Sequence, residues 1–219
     1  MRLENIFHIM AKKKDDKPEP TSVLYYYYTQ ERWDNWLKVL AEADFEGDEN
    51  SDEMPEGLSS LDNFTKDVNV SVMKIVKVFQ NGSYDAKTAL SKLEEVEAII
   101  MGEVPESDIS DIVQGLQMRF LVLFISCKRY IEGNIGEGEI KDLVKAGRKL
   151  PEDDMEKALD IAATIGAKVI NGEKCCSKYL KDDSDDEPSM FDEWLGEIDD
   201  LGEALASLKK FDEEFGIDV

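Results

Sequence analysis

The chemistry open to this chain is set first by what is scarce. One histidine, His8, stands among 219 residues. Imidazole is the usual carrier of protons near neutral pH and the commonest metal ligand, so a Ser-His-Asp or Cys-His arrangement would have to recruit this one ring from the N-terminal segment. Helical di-iron centres use Glu-x-x-His pairs on facing helices, and the sequence contains none. Three cysteines, Cys127, Cys175 and Cys176, lack a repeated C-x-x-C spacing, which argues against zinc and against a disulfide framework. Cys175-Cys176 could serve as a redox or soft-metal pair. A disulfide between neighbours closes a strained ring that helical geometry does not fit, so burial or helix filling is the expectation. Asp44, Glu46, Asp48, Asn50 and Asp52 set oxygens at alternate positions, as calcium loops do. Counted from Asp48, however, Glu53 stands where an EF-hand requires glycine and Ser59 where it requires glutamate. Gly133, Gly136 and Gly138 interleave with acids that repel phosphate, and no phosphate-cradling glycine motif is present. Neither a cofactor nor a metal is expected.

Carboxylates are the abundant functional group. The chain has 49 Asp+Glu against 26 Lys+Arg, a net charge of −23. The excess is concentrated: Asp44 to Glu56 holds seven acids and no base, and Asp182 to Val219 holds fifteen acids and two bases, Lys209 and Lys210. Such a field repels nucleic-acid phosphates and anionic membranes, so neither is expected as a direct partner. Adaptation to high internal salt would spread acid evenly and deplete lysine, yet 21 of the 26 basic residues are lysine. A localised field steers a basic partner, over a range that salt screens to roughly 8–10 Å; the plainer reading is a pair of solvated loops retained for solubility. The candidate partner-binding carboxylates are Asp48, Glu49, Asp52 and Glu53 in the first segment and Asp182, Asp183, Asp185 and Asp186 in the second.

The elements that must carry these groups follow from apolar spacing. Residues 1–22 read as a flexible tail, charged and Pro-containing from Lys12 to Thr21, and Met10 offers an alternative start. Thr29 is placed to cap a first helix with Tyr28 and Trp33 as its hydrophobic staple, and Trp33, Trp36, Leu37 and Leu40 form one stripe. A second helix runs from Pro55-Glu56-Gly57 to Asn81-Gly82 despite a β-branched middle, and a third from Ser83 or Asp85 to about Met101. Ser107 is expected to cap a fourth, whose Phe120–Ile125 run is apolar all round and too short to cross a bilayer. A fifth covers about Glu137 to Lys149, and a sixth runs from Pro151 to about Leu180 with Asn171-Gly172 as an interruption. Beyond the acidic hinge, Phe191, Trp194, Leu195, Ile198, Leu201 and Leu205 form the stripe of a seventh. The fold class is all-α, a compact bundle of about seven helices with a flexible N-terminal tail: residues 23–181 form the bundle and 182–219 an acidic hinge and amphipathic helix. Phe191, Trp194, Leu195 and Ile198 are therefore either core or a docking face for a partner's groove. Packing back on the bundle is the expectation; on the docking reading, removing Ser189 to Val219 leaves a soluble helical body.

The segment Tyr28-Thr29-Gln30-Glu31-Arg32-Trp33-Asp34-Asn35-Trp36-Leu37, followed by Asp44-Phe45-Glu46, resembles the opening of a family of uncharacterised acidic archaeal proteins found notably in methanogens, a likeness reaching from about Tyr25 to the C-terminus. The resemblance implies a cytoplasmic archaeal protein and brings no activity or site residues with it. The residues themselves point to a cytoplasmic, non-enzymatic interaction module, an adaptor, regulator or assembly factor for a protein with a basic or apolar surface. A nucleic-acid mimic is one variant. The alternative is a small-ligand-binding bundle or a carboxylate-based enzyme, which would show a cavity with convergent polar groups between the second, fourth and sixth helices.

Overall fold

The computed structural model describes residues 27–46, 54–175, 179 and 188–215, with side chains as far as residue 208. The predicted N-terminal tail lies outside the described residues. Among these residues the elements are α1 (Gln30–Glu42), α2 (Glu56–Gln80), α3 (Ala86–Ile100), α4 (Ser110–Ile131), α5 (Ile140–Gly147), α6 (Met155–Ile170) and α7 (Met190–Phe215), with no strand.

Local chemistry sets most of the boundaries. The Thr29 hydroxyl accepts from the Arg32 backbone N–H at 3.2 Å, and Asp85 accepts from Thr88 at 2.8 Å, each satisfying a donor that a helix start leaves without a partner. The β-branched centre of α2 stays helical because Val68, Val72, Ile75 and Val76 fall on one side and are fully buried, so tertiary packing overrides propensity. Two expected boundaries move. Ser107 does not cap α4: its N–H is held by Ser110 Oγ at 2.7 Å, and that hydroxyl donates to the Pro105 carbonyl, a turn that delays the helix to Ser110. α6 begins at Met155, after a turn from Pro151 to Asp154, and stops at Ile170 because Gly172 takes a φ of 104° that other residues avoid. Residues 171–175 therefore do not continue the helix.

The apolar side chains form two adjoining cores. One gathers Trp33, Leu40, Phe64, Val72, Leu93, Val113, Phe120 and Phe124 from α1 to α4; the other gathers Ile140, Val144, Ala162, Ile165 and Trp194 from α5, α6 and α7. α4 is long and apolar enough to cross a membrane by length and composition, in contrast to the expectation from its short apolar run, and both of its sides are in use: Phe120, Leu123 and Cys127 enter the first core and Val122 the second. α2 and α4 run in the same direction, since Phe64 meets Phe120 edge-on at 5.9 Å and Phe79 meets Tyr130 at 6.1 Å. Small residues let α6 close on α4. A methyl group on Gly166 would collide with Ser126 Oγ.

α7 seals both cores. Phe191, Trp194, Leu195 and Ile198 fill the second, while Leu201, Ala204 and Leu205 fill the first. The Phe191 ring occupies the space a side chain on Gly147 would need, and the Trp194 indole N–H donates to the Met118 carbonyl at 2.9 Å. The docking-face assignment of Phe191, Trp194, Leu195 and Ile198 is thus corrected: all four are at most 4% exposed, because burying the stripe in the chain's own core removes it from water without a partner.

Two outcomes follow. Deleting residues 189–219 opens both cores, so circular dichroism should show loss of the cooperative thermal transition and a hydrophobic dye should bind; an unchanged melting profile would contradict the packing. Gly147→Val sets a branched side chain against the Phe191 ring and should cost about 1–3 kcal/mol in denaturant unfolding.

Candidate functional site

α7 carries one acid on its apolar stripe. Glu197 follows Trp194 by three positions and precedes Leu201 by four, so the helix turns it inward with them, and it is 1% exposed. α2 and α4 supply its partners. Asn69 Nδ2 donates to Glu197 Oε1 at 2.9 Å, and Arg119 Nη2 lies 3.1 Å from Oε2. The Arg119 side chain is 31% exposed and reaches inward from the surface, with its apolar stem alongside the packed helices. Burial pushes the Glu197 carboxyl above the ordinary range, while Arg119 and the Asn69 hydrogen bond pull the other way.

The same helix raises a second carboxylate at the rim. Asp200, one turn on, is raised mainly by burial; Arg119 opposes this, and Glu203, Asp199 and Asp62 add to it. Lys66 donates to Asp62 at 2.6 Å, and its pKa is raised by that bond and by Asp200 and Glu203. Asp62, Asp200 and Glu203 are exposed, so an acidic face lies over the buried carboxylate. Inside the cluster, Asn69 Oδ1, Glu197 Oε2 and Arg119 Nε have no hydrogen-bond partner.

A second network docks α1. Asp67 of α2 accepts from Arg32 Nε at 2.8 Å, from Arg32 Nη2, and from Trp36 Nε1 at 2.8 Å, and the Arg32 guanidinium lies 5.1 Å from the Tyr28 ring centre. Tyr28 is raised by burial first and Asp67 second. Trp33 and Trp36 both stack against Phe64 at 5.5 Å. The Tyr28 to Leu37 motif is therefore a docking device for α1, with Arg32 and Trp36 directed to one carboxylate.

Asp48, Glu49, Asp52, Glu53, Asp182, Asp183, Asp185 and Asp186 lie outside the described residues. The ends of the first segment are fixed: the Gly57 N–H donates to the Asp44 carbonyl at 2.7 Å, the Phe45 ring packs on Gly57, and Met54, 66% exposed, and Leu58 face solvent beside them. Cys127 is a buried free thiol that burial pushes up. Cys175 lies past the end of α6 and is disulfide-bonded, in contrast to the expected helix filling. Among the described residues no group of three or more His, Cys, Asp or Glu is placed to hold a metal. A surface groove of about 470 Å³ runs between the end of α6 and α7, floored by Val169, Gly202 and Ala206 and rimmed by Lys174, Asp199 and Glu203. Neither Glu197 nor Arg119 lines it.

A family model described as an uncharacterised protein conserved in archaea (DUF2150) matches residues 26–214, and the chain belongs to that family. No curated protein and no solved structure matches it.

Arg119→Met takes away the cation beside the buried Glu197 Oε2 and leaves that oxygen unsatisfied, so it should destabilise the fold by about 1–3 kcal/mol in chemical denaturation. Adding Glu197→Gln should recover part of the loss, with a coupling of about 0.5–3 kcal/mol in the double-mutant cycle.

Proposed function

We propose that this archaeal family member is a non-enzymatic interaction module of the cytoplasm, an adaptor, regulator or assembly factor that captures a protein with a basic face. The observation that carries the reading is the division of labour within α7: its apolar stripe is consumed by its own bundle, while Asp200 and Glu203 turn outward beside Asp62 of α2. A helix whose greasy side is already covered meets a partner through its charges. Carboxylates gathered on one face attract a cationic surface and speed encounter, and they repel phosphate. Asp48, Glu49, Asp52 and Glu53, and Asp182, Asp183, Asp185 and Asp186, extend the same field in this reading. Exposed Met54 and Leu58 offer the apolar contact that gives a charged encounter some permanence. A protein that mimics nucleic acid toward a DNA- or RNA-binding partner fits the same charge pattern.

The test is capture from an archaeal lysate at low and high salt, with the wild type beside Asp62→Asn/Asp200→Asn/Glu203→Gln. Proteins that are held by the wild type at low salt and lost both at high salt and from the triple variant support the reading. Capture that survives both changes, or no salt-dependent capture at all, overturns it.

A further inference from the structure

The three polar atoms without a hydrogen-bond partner around Glu197 are of unequal kinds, and Glu197 Oε2 has the Arg119 guanidinium 3.1 Å away as an ion pair. Two are acceptors, Asn69 Oδ1 and Glu197 Oε2, and they belong to side chains already joined by the 2.9 Å bond from Asn69 Nδ2 to Glu197 Oε1. A carboxamide and a carboxylate joined through one such bond lack a single hydrogen for a second. If Oε2 carries a proton it becomes a donor, Asn69 Oδ1 becomes its acceptor, and both deficits are met together.

Charge counting points the same way. Around the cluster stand Asp62, Glu197, Asp200 and Glu203 against two cations, Lys66 and Arg119, and Lys66 is bonded to Asp62. Lys66 also acts on Asp200 and Glu203, and Arg119 acts on Glu197 and Asp200. Two cations cannot balance four carboxylates, and the most buried of them is where a neutral acid relieves the most repulsion and desolvation. The other elements packed on α7 do not alter the count. α2 presents Asn69 with the Lys66–Asp62 pair a turn away, α4 presents Arg119, and Lys168 of α6 is bonded to Glu173 at 3.2 Å.

We propose that Glu197 is a proton-binding site that latches α7: in the packed fold its Oε2 takes one proton from solvent and donates it to Asn69 Oδ1, closing a two-bond acid–amide ring between α7 and α2. Arg119 is then released to serve Asp200 at the rim. The latch has a defined pH direction. A proton held more tightly in the folded state than in the unfolded chain contributes stability that is complete below the ordinary carboxylate range and is lost as pH rises through the raised value.

Glu197→Gln is the permanent mimic of the protonated acid, because its amide can accept from Asn69 Nδ2 and donate to Oδ1 at every pH. The full chain and E197Q are melted across about pH 5 to 8, the window above the unfolded carboxylate range. The wild-type midpoint should fall relative to E197Q as pH rises, by about 3–5 °C for each unit by which the folded group titrates above its ordinary value. Parallel profiles overturn the proposal. Infrared spectra of the wild type in heavy water supply a measurement that does not need E197Q to fold. A protonated carboxylic acid carbonyl band at neutral pH, retained in Asp200→Asn, supports the latch; its absence at neutral pH, or its loss in Asp200→Asn, overturns it.

Discussion

A carboxylate taken out of water must be matched or neutralised, and Glu197 meets that demand with groups from two different helices. Asn69 on α2 and Arg119 on α4 converge on it, so α7 can settle at one longitudinal position only. The apolar contacts of α7 are large but slide at little cost, since one leucine replaces another along a stripe. The polar cluster does not slide. One turn of displacement would leave a carboxylate, an amide and a guanidinium stranded in a low-dielectric interior, at a cost of several kcal/mol. Phe191 over Gly147 and Trp194 on the Met118 carbonyl set the beginning of the same helix, and the two cores close together once these contacts are made.

This arrangement accounts for how the acids are divided. Along α7 the carboxylates at 199, 200 and 203 follow the helix round toward solvent, and the one at 197 falls inside. Most of the negative charge is therefore carried where water can solvate it, and a single acid, held by partners, gives the seam its specificity. The exposed group also sets the cluster's electrostatics from above, because Asp62, Asp200 and Glu203 all act on Lys66 and Asp200 also interacts with Arg119.

Helix-level order was readable from local sequence because it rests on local chemistry: Thr29 and Asp85 as caps, the three-and-four spacing of Val68, Val72, Ile75 and Val76, the stripe from Phe191 to Leu205. The α6 end at Ile170 is visible in Asn171-Gly172, which reads as an interruption rather than a stop because apolar and small residues, Cys175 to Leu180, continue beyond it. The buried cluster was not read. Glu197 carried a signal, its spacing from Trp194 and Leu201, yet any reading that files acids as solvent-facing discards it. Its partners give no local hint at all. Asn69 is 128 residues away, and Arg119 comes into reach only once α4 and α7 are packed. Pairings of that range belong to topology, which one sequence does not display.

The position of α7 after the six other helices gives synthesis a direction. A ribosome releases α1 to α6 first, while the helix that seals both cores is still in the exit tunnel or not yet made. The nascent protein must therefore wait with two open apolar surfaces, before the acid-rich segment from Asp182 onward, with fifteen acids and two bases, has emerged to keep neighbouring copies apart. The two cores close in one late event, when α7 arrives and carries its own carboxylate into the gap.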